Sequence, residues 1–191
     1  MLVTKSKATD LVSSDLIQSG NSGESARAGG IFTVKCFDQD GNLKWEESAH
    51  NLVVNEGLQD MNTEYFKGVT YTAAWYLGLV TGPGAGNTYA AADTLASHAG
   101  WTEDTAYSGS RQAVTFGTAT TADPSVINNS GSPSVFNITG TTTIAGAFLT
   151  NVNTGTSGVL FSVANFQAPG DRSVVSGDTL SVTYTFNLDA A

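Results

Sequence analysis

The chain of 191 residues is long enough for one domain with a hydrophobic core, because 40% of its residues are apolar. Charged residues make up only 13% and the net charge is −9. Such an acidic surface repels phosphate backbones, which argues against nucleic-acid binding through a broad face. Cys36 is the only cysteine, so an intrachain disulfide is excluded.

The beginning of the chain has no continuous apolar run of the kind that a signal peptide requires. No segment approaches the roughly 18 apolar residues of a membrane-spanning helix. We therefore expect a soluble protein, made in a reducing cytoplasm and without membrane contact.

Residues 1–30 are predicted to form an extended N-terminal arm, and residues 31–191 a single β-sandwich domain. Residues 19–25 are polar and rich in Ser and Gly, a composition typical of a flexible linker. Before them stands an apolar cluster with the spacing of one or two helical turns. Its members are Leu11, Val12, Leu16 and Ile17. Two interpretations stay open at this point: a disordered tail, or a segment that orders on a partner.

The domain is predicted to open with a β-hairpin. Residues 31–37 alternate so that Phe32, Val34 and Cys36 share the face expected to point into the core. Residues 38–42 supply the turn and residues 43–49 the returning strand. The opening Asp38-Gln39-Asp40-Gly41-Asn42 superficially resembles a calcium loop, but the twelfth position is Ala49, where the EF-hand needs Glu.

One helix is predicted, over residues 56–66, with Asn55 as its N-cap and Gly68 at its end. Four apolar side chains fall on one face, which we expect to pack against a sheet. They are Leu58, Met61, Tyr65 and Phe66.

The remaining pattern is that of strands separated by Gly-, Asn-, Ser- and Pro-rich turns. About eight strands are predicted in all. They indicate an all-β, jelly-roll-like two-sheet sandwich with one short helix. Residues 81–110 have little periodicity and are predicted to be loops, which at this length are usually functional or ordered by a partner. The predicted strands after the helix are 71–80, 113–116, 135–138, 143–149, 159–163 and 180–188.

No arrangement of residues typical of catalysis is found in the sequence. His50 and His98 lack metal-binding spacing, and residues 108–111 do not match the elbow of a serine nucleophile. The glycine-rich residues 82–86 lack the lysine of a phosphate-binding loop. We therefore expect no enzyme activity, no cofactor and no bound metal.

Two further side chains have a predicted role. Arg111 is expected to pair with Glu103 or Asp104 rather than to bind a ligand. Trp101 lies in the irregular region, so that a contact with a partner and a place in the core are both open.

Several short segments, taken in order, resemble small virion proteins of tailed bacteriophages, the capsid cement (decoration) and minor structural proteins. The resemblance covers about residues 31–188. The segments are Gly41-Asn42-Leu43-Lys44-Trp45, His50-Asn51-Leu52-Val53-Val54-Asn55-Glu56-Gly57-Leu58, Trp75-Tyr76-Leu77-Gly78-Leu79, Ala92-Asp93-Thr94, Gly100-Trp101-Thr102-Glu103, Arg111 and Gly177-Asp178-Thr179-Leu180-Ser181-Val182-Thr183-Tyr184.

This resemblance implies a jelly-roll-like fold without catalysis, located on the capsid surface of a virion assembled in the host cytoplasm. The implied partners are the major capsid protein, whose subunits a cement protein bridges, and further copies of the chain in a dimer or trimer. The interface is predicted at Leu11, Val12, Leu16 and Ile17 of the arm and at Trp101.

Three alternatives remain at this stage. The first is a tail, collar or baseplate component of the same virion. The second is a carbohydrate-binding module for host adsorption, which would use exposed Trp and Tyr side chains. The third, a glycan hydrolase, would need two carboxylates across a groove.

Overall fold

A computed structural model describes residues 26–68, 73–166 and 170–190. These residues form two antiparallel β-sheets and one α-helix. The all-β two-sheet sandwich with one helix is thereby confirmed. Strand β1 begins at Ala26, so residues 26–30, predicted as the last part of the arm, belong to the first sheet.

The described ranges contain twelve strands, several of them only two residues long. They are β1 (Ala26–Phe37), β2 (Leu43–His50), β3 (Leu52–Val53), β4 (Tyr76–Thr81), β5 (Glu103–Asp104), β6 (Gln112–Ala113), β7 (Ser125–Asn128), β8 (Ser134–Asn137), β9 (Thr142–Thr150), β10 (Leu160–Asn165), β11 (Arg172–Val174) and β12 (Thr179–Ala190). The helix α1 spans Asn55–Lys67, and a 3-10 turn spans Gly84–Gly86.

The first sheet has the order β2-β1-β12-β7, with β8 pairing along another part of β12. Strands β1 and β12 pair over their whole length, from Ala26 opposite Ala190 to Phe37 opposite Thr179. Phe32, Val34 and Cys36 are fully buried, as their alternation predicts. Burial raises the pKa of the Cys36 thiol to about 11. The residues 38–42 form the turn between β1 and β2, where Asp38 accepts backbone N–H bonds.

The second sheet has the order β3-β10-β9-β4-β5, with β6 on β4 and β11 on β9. Its inner face meets the first sheet in the main hydrophobic core. Its outer face carries a second apolar cluster, to which β4, β9 and β10 contribute Val80, Phe148 and Leu160. Residues 89–101 cover this cluster and bury Leu95 and Trp101 in it. Residues 89–101 therefore cover the outer face of the second sheet.

Candidate functional site

An apolar groove of about 1080 Å³ lies beside α1, at the end of the sandwich where β1 begins and β12 ends. We call it the α1 groove. A groove of this size matches the upper range of ligand-binding pockets. Among the residues that line it are Ala28, Leu58, Tyr65, Trp75, Phe161 and Leu188.

The helix that forms one wall of the groove is anchored at its first turn. Gly57 is its only buried residue, and a Cβ there would clash with the Phe161 carbonyl oxygen. The glycine therefore allows the backbones of α1 and β10 to touch. Glu56 strengthens the anchor, because its carboxylate accepts the backbone N–H of Leu160 at 2.8 Å and that of Leu95 at 3.4 Å.

The N-terminal cap differs from the prediction. Val54 occupies the N-cap position without a side-chain hydrogen bond, and Asn55 is the first helical residue. The predicted end at Gly68 is confirmed, since this residue adopts the left-handed conformation with φ of 61°. Glu56 at the helix start binds backbone N–H groups of the neighbouring strand and loop, in addition to any interaction with the helix dipole.

The apolar face of α1 is largely turned away from the sheet. Leu58 is 41% exposed, Tyr65 83% and Phe66 78%, while Met61 packs partly on the main core. The predicted packing of this face on a sheet is wrong for three of its four residues. At 100° per residue, Leu58 and Tyr65 lie about a quarter turn from the Gly57 contact and Phe66 lies opposite to it. The close approach at Gly57 therefore leaves these side chains free.

The floor of the α1 groove is built from core residues. Trp75 and Phe161 meet edge to face, with ring centroids 5.3 Å apart, and Phe161 also contacts Phe186. Leu188, near the end of β12, is 40% exposed beside them. A surface whose base is fixed by core packing is preorganised, so a bound group loses little free energy to reorganisation of the floor.

Two carboxylates line the otherwise apolar groove, at Asp60 and Glu64. Burial, and then repulsion from Glu64 and Glu56, raises the pKa of Asp60 above its usual value. Glu64 Oε2 is buried and has no hydrogen-bond partner among the described residues. None of the ion pairs within the described ranges includes either residue. The groove thus favours an apolar ligand that also carries a positive charge.

Trp101, the predicted contact residue of the domain, lies inside the protein. It is 5% exposed and stacks on His98 at 3.9 Å between ring centroids. Its indole N–H donates to Asp93 at 3.2 Å. The side chain therefore offers almost no surface to a partner. The other predicted interface residues, Leu11, Val12, Leu16 and Ile17, lie outside the described residues.

The predicted ion pair of Arg111 is present, and its partner is Glu103. The two contacts measure 2.9 Å from Nε and 2.7 Å from Nη2. The guanidinium also lies over the Phe148 ring and donates to the Val152 carbonyl. Asp104 instead accepts hydrogen bonds from Thr81 and Thr142. This pair ties the loop after β5 to the second sheet, as expected of a structural role.

The described residues contain no group of three or more His, Cys, Asp or Glu side chains arranged to bind a metal. No helix within these ranges combines the length and the apolar character needed to cross a membrane. Trp45 and Trp75 are half-buried and Trp101 is buried, so the three tryptophans do not form an exposed aromatic platform.

No protein-family model, no curated protein and no solved structure matches this chain.

The α1 groove was not predicted from the sequence, although part of its signal was there. The apolar stripe of α1 is visible in the sequence, and the prediction placed it against a sheet. The neighbouring pair Tyr65-Phe66, at the end of a helix with a glycine in its first turn, is the feature that points to an exposed face. Leu188 and Ala28 reach the groove only because β1 pairs with β12, which local sequence does not reveal.

Proposed function

We propose that this protein is a non-catalytic structural component of a tailed-bacteriophage virion, a capsid cement (decoration) protein on the outside of the head. In this role it bridges subunits of the major capsid protein, as a dimer or trimer. The observation that carries the proposal is the α1 groove, an exposed apolar surface on a rigid two-sheet scaffold. The motif resemblance supplies the kind of assembly.

The groove has the composition of a protein-docking surface. Tyr65 and Phe66 are its most exposed aromatic side chains, and aromatic residues are enriched at the energetic centres of interfaces. Contiguous exposed apolar surface on a soluble domain usually marks an interaction site. Beside it, Asp60 and Glu64 are placed to select a partner with a complementary basic group.

The rest of the molecule suits a bridging element. The two sheets share a core that includes the fully buried Tyr184, hydrogen-bonded to Asn51 and Ser162. Strands β1 and β12, each twelve residues long, pair end to end. Such a scaffold transmits load between attached subunits with little deformation, because densely packed interiors have low compressibility.

The proposal is tested by counting copies on purified virions of the phage that encodes the chain. Quantitative mass spectrometry gives the ratio to the major capsid protein, and electron cryo-microscopy gives the position. We expect hundreds of copies over the head. About a dozen copies at the tail or portal vertex would instead make the protein a tail, collar or baseplate component. Complete absence from virions would overturn a structural role of either kind.

The docking surface is tested with the double variant Tyr65→Ser/Phe66→Ser. We expect occupancy on the head to fall at least tenfold. The matched control is Val135→Ser, which removes an apolar side chain that is 43% exposed on β8 and should keep full occupancy. Equal occupancy of the groove variant and the control would show that docking uses another surface.

A further inference from the structure

The N-terminal end of the described chain lies at the edge of the α1 groove. Ala26, the first described residue, and Ala28 both line it. The 25 residues before Ala26 therefore start directly from the edge of the groove. Any apolar group they carry is held near it by the covalent chain.

The tether is short. Residues 18–25 separate the apolar cluster of the arm from Ala26. A Ser- and Gly-rich linker of this length has a root-mean-square span of about 15 Å and a maximum of about 28 Å. Linkers of this kind give effective concentrations in the millimolar range. Even a weak contact with the groove is then populated within one molecule.

The chemistry of the segment complements that of the groove. Leu11, Val12, Leu16 and Ile17 supply branched apolar side chains for a floor of Trp75 and Phe161. Lys5 and Lys7 stand on the side of this cluster away from the tether. The groove in turn presents two carboxylates without a counter-ion among the described residues.

We propose that residues 5–17 of the same chain dock in the α1 groove of the free protein and cover its exposed aromatic side chains. The proposal rests on the proposed function only in treating this groove as a docking surface. Covering it before assembly keeps an adhesive apolar patch from causing aggregation. A capsid partner then has to displace the segment, so the chain carries its own competitor for the site.

The test uses the full chain with a nitroxide attached to the thiol introduced by Ser14→Cys. The native thiol does not compete, because Cys36 is fully buried and its pKa is raised to about 11. Amide signals of ¹⁵N-labelled protein are compared with the nitroxide oxidised and reduced. We expect the signals of residues 62–66 to lose most of their intensity. Those of residues 38–42, at the opposite end of β1, should keep theirs.

Variants and mixing identify the contact. Tyr65→Ser/Phe66→Ser should restore the signals of α1, whereas the matched control Val135→Ser should leave the loss unchanged. The spectra themselves show whether each variant is folded. Intact α1 signals in the spin-labelled chain would overturn the proposal. So would an equal loss when ¹⁵N-labelled, nitroxide-free chains are mixed with unlabelled, nitroxide-bearing chains, since the arm of a second copy would then be the occupant.

This readout needs no virion, so its failure is separate from failure of the proposed function. If the arm docks in the groove but the protein is absent from virions, the intramolecular contact is supported and the proposed capsid role is overturned. If the protein is abundant on the head but the α1 signals lose no intensity, the capsid role is supported and the docking of residues 5–17 is overturned.

Discussion

The molecule has two apolar surfaces outside its main core. One lies on the outer face of the second sheet and is covered, and the other is the α1 groove, which is open. The cluster on the outer face is closed by residues 89–101, which bury Leu95 and Trp101. The α1 groove stays open within the described residues, with Tyr65 and Phe66 exposed. Because a loop of the domain covers one surface and none of the described residues covers the other, the α1 groove is the surface left available for binding.

The closed surface is held by polar contacts as well as packing. The backbone N–H of Thr88 donates to the Gly100 carbonyl at 2.9 Å and closes the loop. Trp101 donates to Asp93, and Glu56 accepts the N–H of Leu95. Among the described residues, the side-chain hydrogen bonds of α1 come from Glu56 in its first turn. The buried residues around Trp101 stabilise the fold, whereas the exposed residues of α1 are accessible for binding.

The largest expected effect on the free energy of unfolding comes from a substitution within the closed surface. Trp101→Ala removes a side chain that is 5% exposed and stacked on His98, and large-to-small changes in a core cost about 3–5 kcal/mol. We expect the free energy of unfolding to fall by about that amount in urea titrations followed by circular dichroism. A loss below about 1 kcal/mol would mean that the loop is not part of the fold in solution.

The next effect concerns the joint between the two regions. Gly57→Ala places a Cβ against the Phe161 carbonyl, a clash with backbone that cannot be relieved by a side-chain rotation. We expect a loss of about 1–3 kcal/mol, despite the better helix propensity of alanine. The matched control is Gln59→Ala, at an exposed position of the same helix, which should be neutral. A stabilised Gly57→Ala variant would contradict the close contact of α1 with β10.

A smaller, pH-dependent effect lies in the open groove. The pKa of Asp60 is raised by burial and by Glu64 and Glu56, so the folded state binds its proton more tightly than the unfolded state. This group favours folding below its unfolded pKa, and that contribution is lost as the pH rises through the folded pKa. In a background of Lys5→Ser/Lys7→Ser, where the docked segment brings no counter-ion to the groove, Asp60→Asn should therefore raise the urea midpoint at pH 7.

The same variant should show no difference from the parent below about pH 3, where the carboxyl is protonated in both states. Urea titrations at the two pH values give the comparison. A lower midpoint for Asp60→Asn at pH 7 would mean that a cation stabilises the carboxylate in solution. The repulsion described here would then be offset.

The sequence was informative where a periodicity reports burial directly. The hairpin of β1 and β2, the core face of Phe32, Val34 and Cys36 and the Glu103–Arg111 pair agree with the structure. Strands β7 and β11 were not predicted, because their sequences show no clear alternation of apolar and polar residues. Their pairing with β12 and β9 comes from contacts distant in sequence.

The candidate site could not be predicted for a related reason. An amphipathic pattern shows that a helix has an apolar face but does not show which side the sheet contacts. In α1 that choice is made by Gly57, whose missing Cβ permits the approach to Phe161. The same limit applies to Trp101, whose place in the irregular region gave no sign that a loop would close over the outer face of the sheet.

The smallest expected effect is on the open surface. Phe66→Ser removes a ring that is 78% exposed and that contacts Tyr65 at 5.0 Å between centroids. We expect the free energy of unfolding to change by less than about 1 kcal/mol, as for most surface substitutions. Urea titration beside Trp101→Ala makes the comparison direct, since each variant removes one aromatic ring. If Phe66→Ser cost as much as Trp101→Ala, the ring would be buried in solution, and the α1 groove would belong to the core rather than to a partner.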